Sequence, residues 1–451
     1  MLRNEGRTYI KEPARETEVF DRCEVLVVGA GPAGVTAAVS AAKNCRGKVV
    51  LMERFPYLGG MATGGQVIAI PFLSDGDELL ISGVMDEWID RLRKKANGVF
   101  GPLRSELGST DETVLNKYRH HGLFGMKKVR YGVNCDPELL KVALAQMVRD
   151  YNITVYCNCV VCGAVTEEGK VQGVLFESKE GRKAILADVV IDCTGDGDVF
   201  AAAGAEYEMS SFSTSRSANT ALVFRIGGVD YDRYAENYKG TPENPHAFDE
   251  KFAGLSKAAG FSIRPFSSNR NDIMWINNWI PRNCMSVKDL TETAFLVFDA
   301  AERITEYLRD NFIGMENAYI LDFASQVGTR GSRRLKGVDR FTRDNIAQRT
   351  GRDDLIAVVP TLGGNEEYAR MEMPYGIIVP EKVNGLLTAG RCFSSEEKAN
   401  EAASWIPYCI ALGEAAGAAA ALSVNGNCEP RELDVGLLRR TLKAQGVYLY
   451  D

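Results

Sequence analysis

At 451 residues the chain is longer than one ordinary hydrophobic core serves, so about two or three structural units are expected. Its 45% hydrophobic and 25% charged residues exclude disordered and fibrous classes, and a formal charge of −7 gives no general electrostatic footprint for nucleic acid or an anionic membrane. Eleven cysteines, an odd count scattered along the chain, suit reduced thiols rather than a disulfide framework.

The opening segment, MLRNEGRTYIKEPARETEVF, is polar and lacks the apolar core of a secretory signal, which points to the cytoplasm. Glu24 to Val28 then reads as a short apolar strand, Pro32 to Lys43 as a helix and Lys48 to Met52 as a second strand. That is a βαβ unit and implies a parallel sheet. From about Pro71 to Arg130 the pattern weakens around one amphipathic stretch, GVMDEWIDRLRKK, which reads as an insertion or lid. His120 and His121 lie there amid Lys117, Arg119, Lys127, Lys128 and Arg130, a solvated basic loop or a docking patch for an acidic electron carrier.

A helix from Pro137 to Asp150, capped by Asp136, leads to a strand at Ile153 to Tyr156. Cys157, Cys159 and Cys162 follow among β-branched neighbours and read as strand thiols, not as cluster ligands. Strands at Val171 to Phe176 and Ala187 to Asp192 continue the first unit to about Glu208. Asn219 to Ile226 opens a second strand system. Ser286 and Asp289 form a capping box for a helix through Leu308, whose core face takes Val287, Leu290, Ala294, Val297, Phe298, Ala301, Ile304 and Leu308. After it, the strand Gly385 to Ala389 and the helix Pro407 to Ser423 return to the style of the first unit. The apolar run Ile406 to Val424 is rich in Ala and Gly and carries Glu414, which fits a helix buried in protein better than a membrane span.

The strongest chemical signal is Gly29-Ala30-Gly31-Pro32-Ala33-Gly34, set between a strand and a helix and followed by Glu53 at the end of the next strand. Gly29 permits the tight turn, Gly31 lets a pyrophosphate approach the backbone, Gly34 allows close packing, and the helix N-terminus offers N–H donors. Glu53 can accept hydrogen bonds from a ribose. NAD or FAD could sit there. Later segments favour an extended ligand: Arg54 with Gly59, Gly60, Met61 and Thr63; Thr194, Gly195 and Asp196 after a strand; and Gly390 with Arg391 ahead of the Gly413 and Gly417 helix. Asp196 and Asp198 lack accompanying histidines or further carboxylates, so no metal site is expected. No second glycine-rich fingerprint follows residue 65.

With these motifs the chain resembles the FAD-dependent oxidoreductases of the glutathione-reductase and fumarate-reductase-like superfamily, over most of its length and most clearly at 25–65, 187–208, 327–337 and 373–422. The resemblance implies an α/β fold: a discontinuous Rossmann-like FAD-binding domain (19–75, 131–208 and 371–425), an insertion or lid (76–130), a smaller α+β substrate domain (209–370) and a C-terminal tail (426–451). It places FAD on Gly29 to Gly34, Glu53, Arg54, Gly59 to Thr63, Val160, Thr194 to Asp196, Gly390, Arg391 and the helix from Pro407. Met61 stands beside the flavin and only three histidines exist, His120, His121 and His246, so the FAD is expected to be non-covalent.

Where relatives often carry a histidine and an arginine after the AGR turn, Glu397 and Ser404 stand instead. Arg330, Arg333, Tyr375 and Glu397 are the catalytic candidates, with Arg334 and Tyr408 as further pocket residues. The expected activity is hydride transfer between flavin and a small molecule, anionic if an arginine faces the pocket, with a separate electron donor or acceptor. No nucleic-acid or membrane partner is expected, and self-association is left open. An RNA-modifying flavoprotein and a flavin-bearing electron-transfer subunit stand as alternatives.

Overall fold

The computed structural model describes residues 2–4, 7–118, 121, 124, 125, 128–211, 219–238, 249–361 and 370–450. Arg119, His120, Lys127 and His246, named in the sequence analysis, lie outside them. Five strands run parallel in the order Thr154–Cys157, Val49–Glu53, Glu18–Val28, Gly181–Asp192 and Leu386–Thr388. Val25 to Val28 and Val49 to Met52 are buried throughout, the continuous apolar pattern of strands covered on both faces. The long Gly181–Asp192 strand also pairs its first half antiparallel with Lys170–Ser178, which pairs in turn with Val160–Glu167.

Helix Pro32–Asn44 crosses helix Ile406–Gly426 at very close range. A Cβ on Gly413 would lie 2.2 Å from the Ala33 carbonyl oxygen, and one on Gly417 2.1 Å from that of Ala37. The four-residue spacing therefore places both glycines on the ridge that meets the first helix. Ile406–Gly426 is the one described helix long and apolar enough to cross a bilayer, and its apolar window is 83% buried within the protein.

The second unit is a six-stranded antiparallel sheet with the Ile273–Pro281 strand at its centre. One face packs on helix Val287–Asn311, started by the Ser286 side chain accepting from Asp289 N. Val297, Ala301, Ile304 and Leu308 are buried there, but Val287 is 83% and Phe298 46% exposed, so the core stripe is narrower than the periodicity suggested.

Three boundaries differ from the sequence reading. Within 76–130, helix Val84–Arg93 is no lid: Val84, Met85, Trp88, Ile89 and Leu92 are buried in the main core. Strand Leu355–Pro360, assigned to the substrate domain, is buried in that same core. The C-terminal segment is no loose tail, because Leu433, Leu438, Leu442 and Leu449 pack there too. The chain passes between the units through an antiparallel ribbon of Tyr207–Met209 against Arg333–Leu335. In the basic insertion Lys117 pairs with Glu106 and Lys128 with Asp77, while Arg130 is buried and donates to the Ser74 and Thr361 carbonyls. Arg130 is thus part of the interior and not of a solvated loop.

Candidate active site

The glycine turn follows the strand Glu18–Val28. Gly29 has φ +92°, and a Cβ there would meet the Cys193 carbonyl at 2.6 Å. A Cβ on Gly34 would lie 1.7 Å from the Gly29 oxygen, so helix and turn touch backbone to backbone. Gly31 is different. Its backbone is extended and a Cβ would meet nothing within 4 Å. The folded chain itself would accept a side chain at 31, and the space that this side chain would enter is the cavity. Glu53, almost fully buried, accepts from Ala30 N at 2.7 Å and Phe55 N at 3.1 Å, tying the second strand to the turn. Burial pushes its carboxyl up against those donors.

The cavity has a volume of about 550 Å³. Gly29, Gly31, Pro32 and Ala33 form one wall, with Glu53, Arg54 and Val160 at one end. Gly60, Met61, Thr194, Gly195, Gly390, Arg391 and Pro407 continue it. The remaining expected cofactor residues stand behind the wall. Ala30 offers its N–H to Glu53, Gly34 packs on Gly29, and Thr63 donates its hydroxyl to the Leu58 carbonyl, while a Cβ on Gly59 would strike the Thr63 side chain.

Asp196 is also behind the lining, accepting from Arg391 Nη2 at 2.7 Å and the Ser332 hydroxyl at 2.6 Å. Burial works against its charge, but Arg391 and Ser332 outweigh it and hold the carboxyl below its ordinary range. Arg391 also donates to Thr329 Oγ1 at 2.7 Å, and its buried Nε has no partner among the described residues. The open space at Gly31, the acid at the second strand's end and this unfilled guanidinium donor fit a dinucleotide with a pyrophosphate, running from Glu53 towards Arg391.

A model of the FAD dependent oxidoreductase family matches residues 24–442. The chain belongs to that family. Membership makes FAD its cofactor and places it among the oxidoreductases. Among curated relatives, a thiamine thiazole synthase of Pyrobaculum aerophilum is 35% identical over 78 residues, 16% of this chain and 30% of its own. An acrylate reductase flavoprotein subunit of Shewanella woodyi is 26% identical over 167 residues, 37% of this chain and 31% of its own. The chain thus spans under a third of the length of these relatives. Among solved structures, p-nitrophenol 4-monooxygenase of Pseudomonas putida aligns with TM-score 0.49 and 12% identity, covering 95% of this chain and 89% of that one. A geranylgeranyl bacteriochlorophyll reductase-like protein of Thermoplasma acidophilum aligns with TM-score 0.46 and 15% identity over 94% and 83%.

Of the four catalytic candidates in this FAD dependent oxidoreductase, only Arg330 lines the cavity, its guanidinium 5.8 Å from the centre of the Trp279 ring. Arg333 turns to Asp198 and the Asp196 carbonyl, both at 2.9 Å, beside the linker ribbon. Arg334 is buried between Ser210, Glu208 and the Ser395 carbonyl. Tyr375 is 5% exposed, with its hydroxyl donating to the Pro430 carbonyl at 2.7 Å. Glu397 Oε1 accepts from Ser211 N at 2.6 Å, away from the lining. Tyr408 likewise spends its hydroxyl on the Pro360 carbonyl. Each of these side chains is held by a structural partner, so the catalytic expectation for Arg333, Tyr375 and Glu397 is corrected.

Residues absent from the sequence reading complete the cavity: Phe72, Phe266, Trp275, Asn277, Trp279, Gln326, Glu401 and Trp405. The alternation Trp275-Ile276-Asn277-Asn278-Trp279 was the available signal, since every second residue of a strand shares a face.

Proposed function

We propose that the enzyme transfers a hydride between FAD and a small molecule bearing an anionic group, bound where the cavity meets the antiparallel sheet. The observation that carries this reading is the continuity of one cavity from Glu53 and Gly31 to Arg330 and the sheet face. When bound, FAD supplies the two-electron chemistry, and the protein supplies binding and orientation. Gly31, the N-terminus of the Pro32 helix and Arg391 would hold the phosphates and neighbouring oxygens, and Glu53 the ribose hydroxyls. Arg330, at the sheet end, can offer a planar pair of donors to a carboxylate. The Trp279 ring beside it shields part of the guanidinium from water and strengthens that contact.

All eleven cysteines are free thiols, in keeping with a reducing compartment, and we place the protein in the cytoplasm. A separate electron donor or acceptor completes the cycle. Anaerobic mixing of the FAD-loaded protein with a panel of small organic acids and their neutral alcohols tests the proposal. Bleaching of the oxidised flavin band by at least one acid, with the product gaining unsaturation or a carbonyl, is expected for oxidation. For the reverse direction, an unsaturated acid should restore the colour of chemically reduced protein. Failure of both arms with flavin bound would contradict it.

A further inference from the structure

We propose that the substrate is a planar aromatic acid, its ring against the Phe266, Trp275 and Trp279 side chains and its carboxylate on Arg330. This rests on the reading above and narrows it to a substrate class. Trp275, Asn277 and Trp279 are alternate residues of the Ile273–Pro281 strand and share one sheet face. Met274, Ile276 and Ile280, between and beyond them, face the other way into the core with helix Val287–Asn311. Trp275 is 5% exposed and packs with that core while also lining the cavity, so the face is aromatic where a sheet face turned to water would be polar.

Cross-strand register adds the third ring. Phe266 lies opposite Trp275, their rings stacked at 4.9 Å and 27°, and it meets Trp279 edge-on at 6.3 Å. Phe266 stays 37% exposed, so this ring cluster is not closed by the protein's own side chains. At one end Arg330 lies over Trp279, and Asn277 sits between the two tryptophans as a neutral polar group. The arginine fork has donors for more than one partner and matches a carboxylate in plane. A flat π-system beside Trp279 and an anion beside Arg330 use both features together, whereas an aliphatic acid uses the second alone.

The test is equilibrium binding to the FAD-loaded protein, followed by flavin difference absorbance and tryptophan quenching, with flavin content measured on the same sample. The probes are benzoate, phenylacetate and indole-3-acetate, compared with cyclohexanecarboxylate and benzyl alcohol. At least one aromatic acid should bind with a Kd on the order of tenfold below both comparison compounds. Arg330→Gln should erase the preference for acid over alcohol, and Trp279→Leu the preference for the aromatic over the saturated ring. Equal binding of cyclohexanecarboxylate, or no binding of any aromatic acid up to about 10 mM (a Kd weaker than the millimolar range), would overturn the aromatic assignment while leaving the flavin reading intact. Protein that holds no FAD would sink both.

Discussion

Arg391 and Asp196 meet at 2.7 Å and join three segments far apart in the chain: the loop after Asp192, the turn after Ala389, and, through Ser332 and Thr329, the return from the second sheet. Asp196→Asn keeps the size of the side chain but leaves the Arg391 charge without its carboxylate. Breaking one side of a buried pair costs about 3–5 kcal/mol, and the partial exposure of both side chains puts this site at or below the lower end. The expected outcome is a lower thermal midpoint and faster loss of FAD on dilution; wild-type values of both would show that the pair positions nothing.

The contact of Gly413 with Ala33 sets a second expectation. Gly413→Leu would force a side chain into the Ala33 carbonyl, where a Cβ already approaches to 2.2 Å, and overpacking of this kind costs about 1–3 kcal/mol or more. Denaturant unfolding should show that loss. A variant as stable as wild type would mean that the helices separate freely.

Glu414 lies on the same helix, 2% exposed, with Oε2 accepting from Val84 N at 3.1 Å and Oε1 without a partner among the described residues. Burial pushes its pKa up to about 7, against the Val84 donor and the Lys43 charge. A carboxyl raised in the folded state favours folding while protonated, so its contribution is whole below about pH 4 and is lost as pH rises through about 7. The loss is on the order of 3 kcal/mol by linkage. Glu414→Gln should flatten the fall in stability between about pH 4.5 and 7, read as thermal midpoint against pH. An unchanged slope would assign the pH dependence to other groups.

Tyr375 separates structural from catalytic roles. Tyr375→Phe removes the hydrogen bond to the Pro430 carbonyl, which costs about 1–3 kcal/mol for the acceptor left buried, and it should leave flavin content and turnover unchanged. A large fall in turnover with normal stability would return Tyr375 to the chemistry.

No second glycine-rich fingerprint follows residue 65, and one parallel sheet with one such turn is present among the described residues. NADH and NADPH should therefore reduce the flavin far more slowly than about 10 per second, a typical turnover rate. Stopped-flow reduction at that rate or above by either nucleotide would contradict this.

The glycine-turn end of the cavity was legible in the sequence because the turn is local: Gly29 to Gly34 act through backbone, and Glu53 through its carboxylate, within a single βαβ unit. The substrate end depends on register. Nothing near Phe266 in the chain says that it will stack on Trp275 across a strand pair. The arginine run after Gly328 was visible, but only the folded chain shows that Arg333 and Arg334, in the linker ribbon, meet Asp198 and Glu208 while Arg330, before it, lines the cavity. Side-chain type alone could not separate them. The apolar spacing of Val84, Met85, Trp88, Ile89 and Leu92 was present too, yet only packing against the first and last helices of the cofactor unit shows it to be core.

Flavin content of the purified protein beside Gly31→Val tests the central claim most directly. A Cβ at 31 meets no protein atom within 4 Å, so the variant should fold and melt as cooperatively as wild type. Wild type should be yellow and release FAD into solution on acid denaturation, while Gly31→Val should be colourless because its side chain fills the pyrophosphate space. A folded Gly31→Val with wild-type FAD occupancy, or colour that stays with denatured wild-type protein, would contradict the site described above.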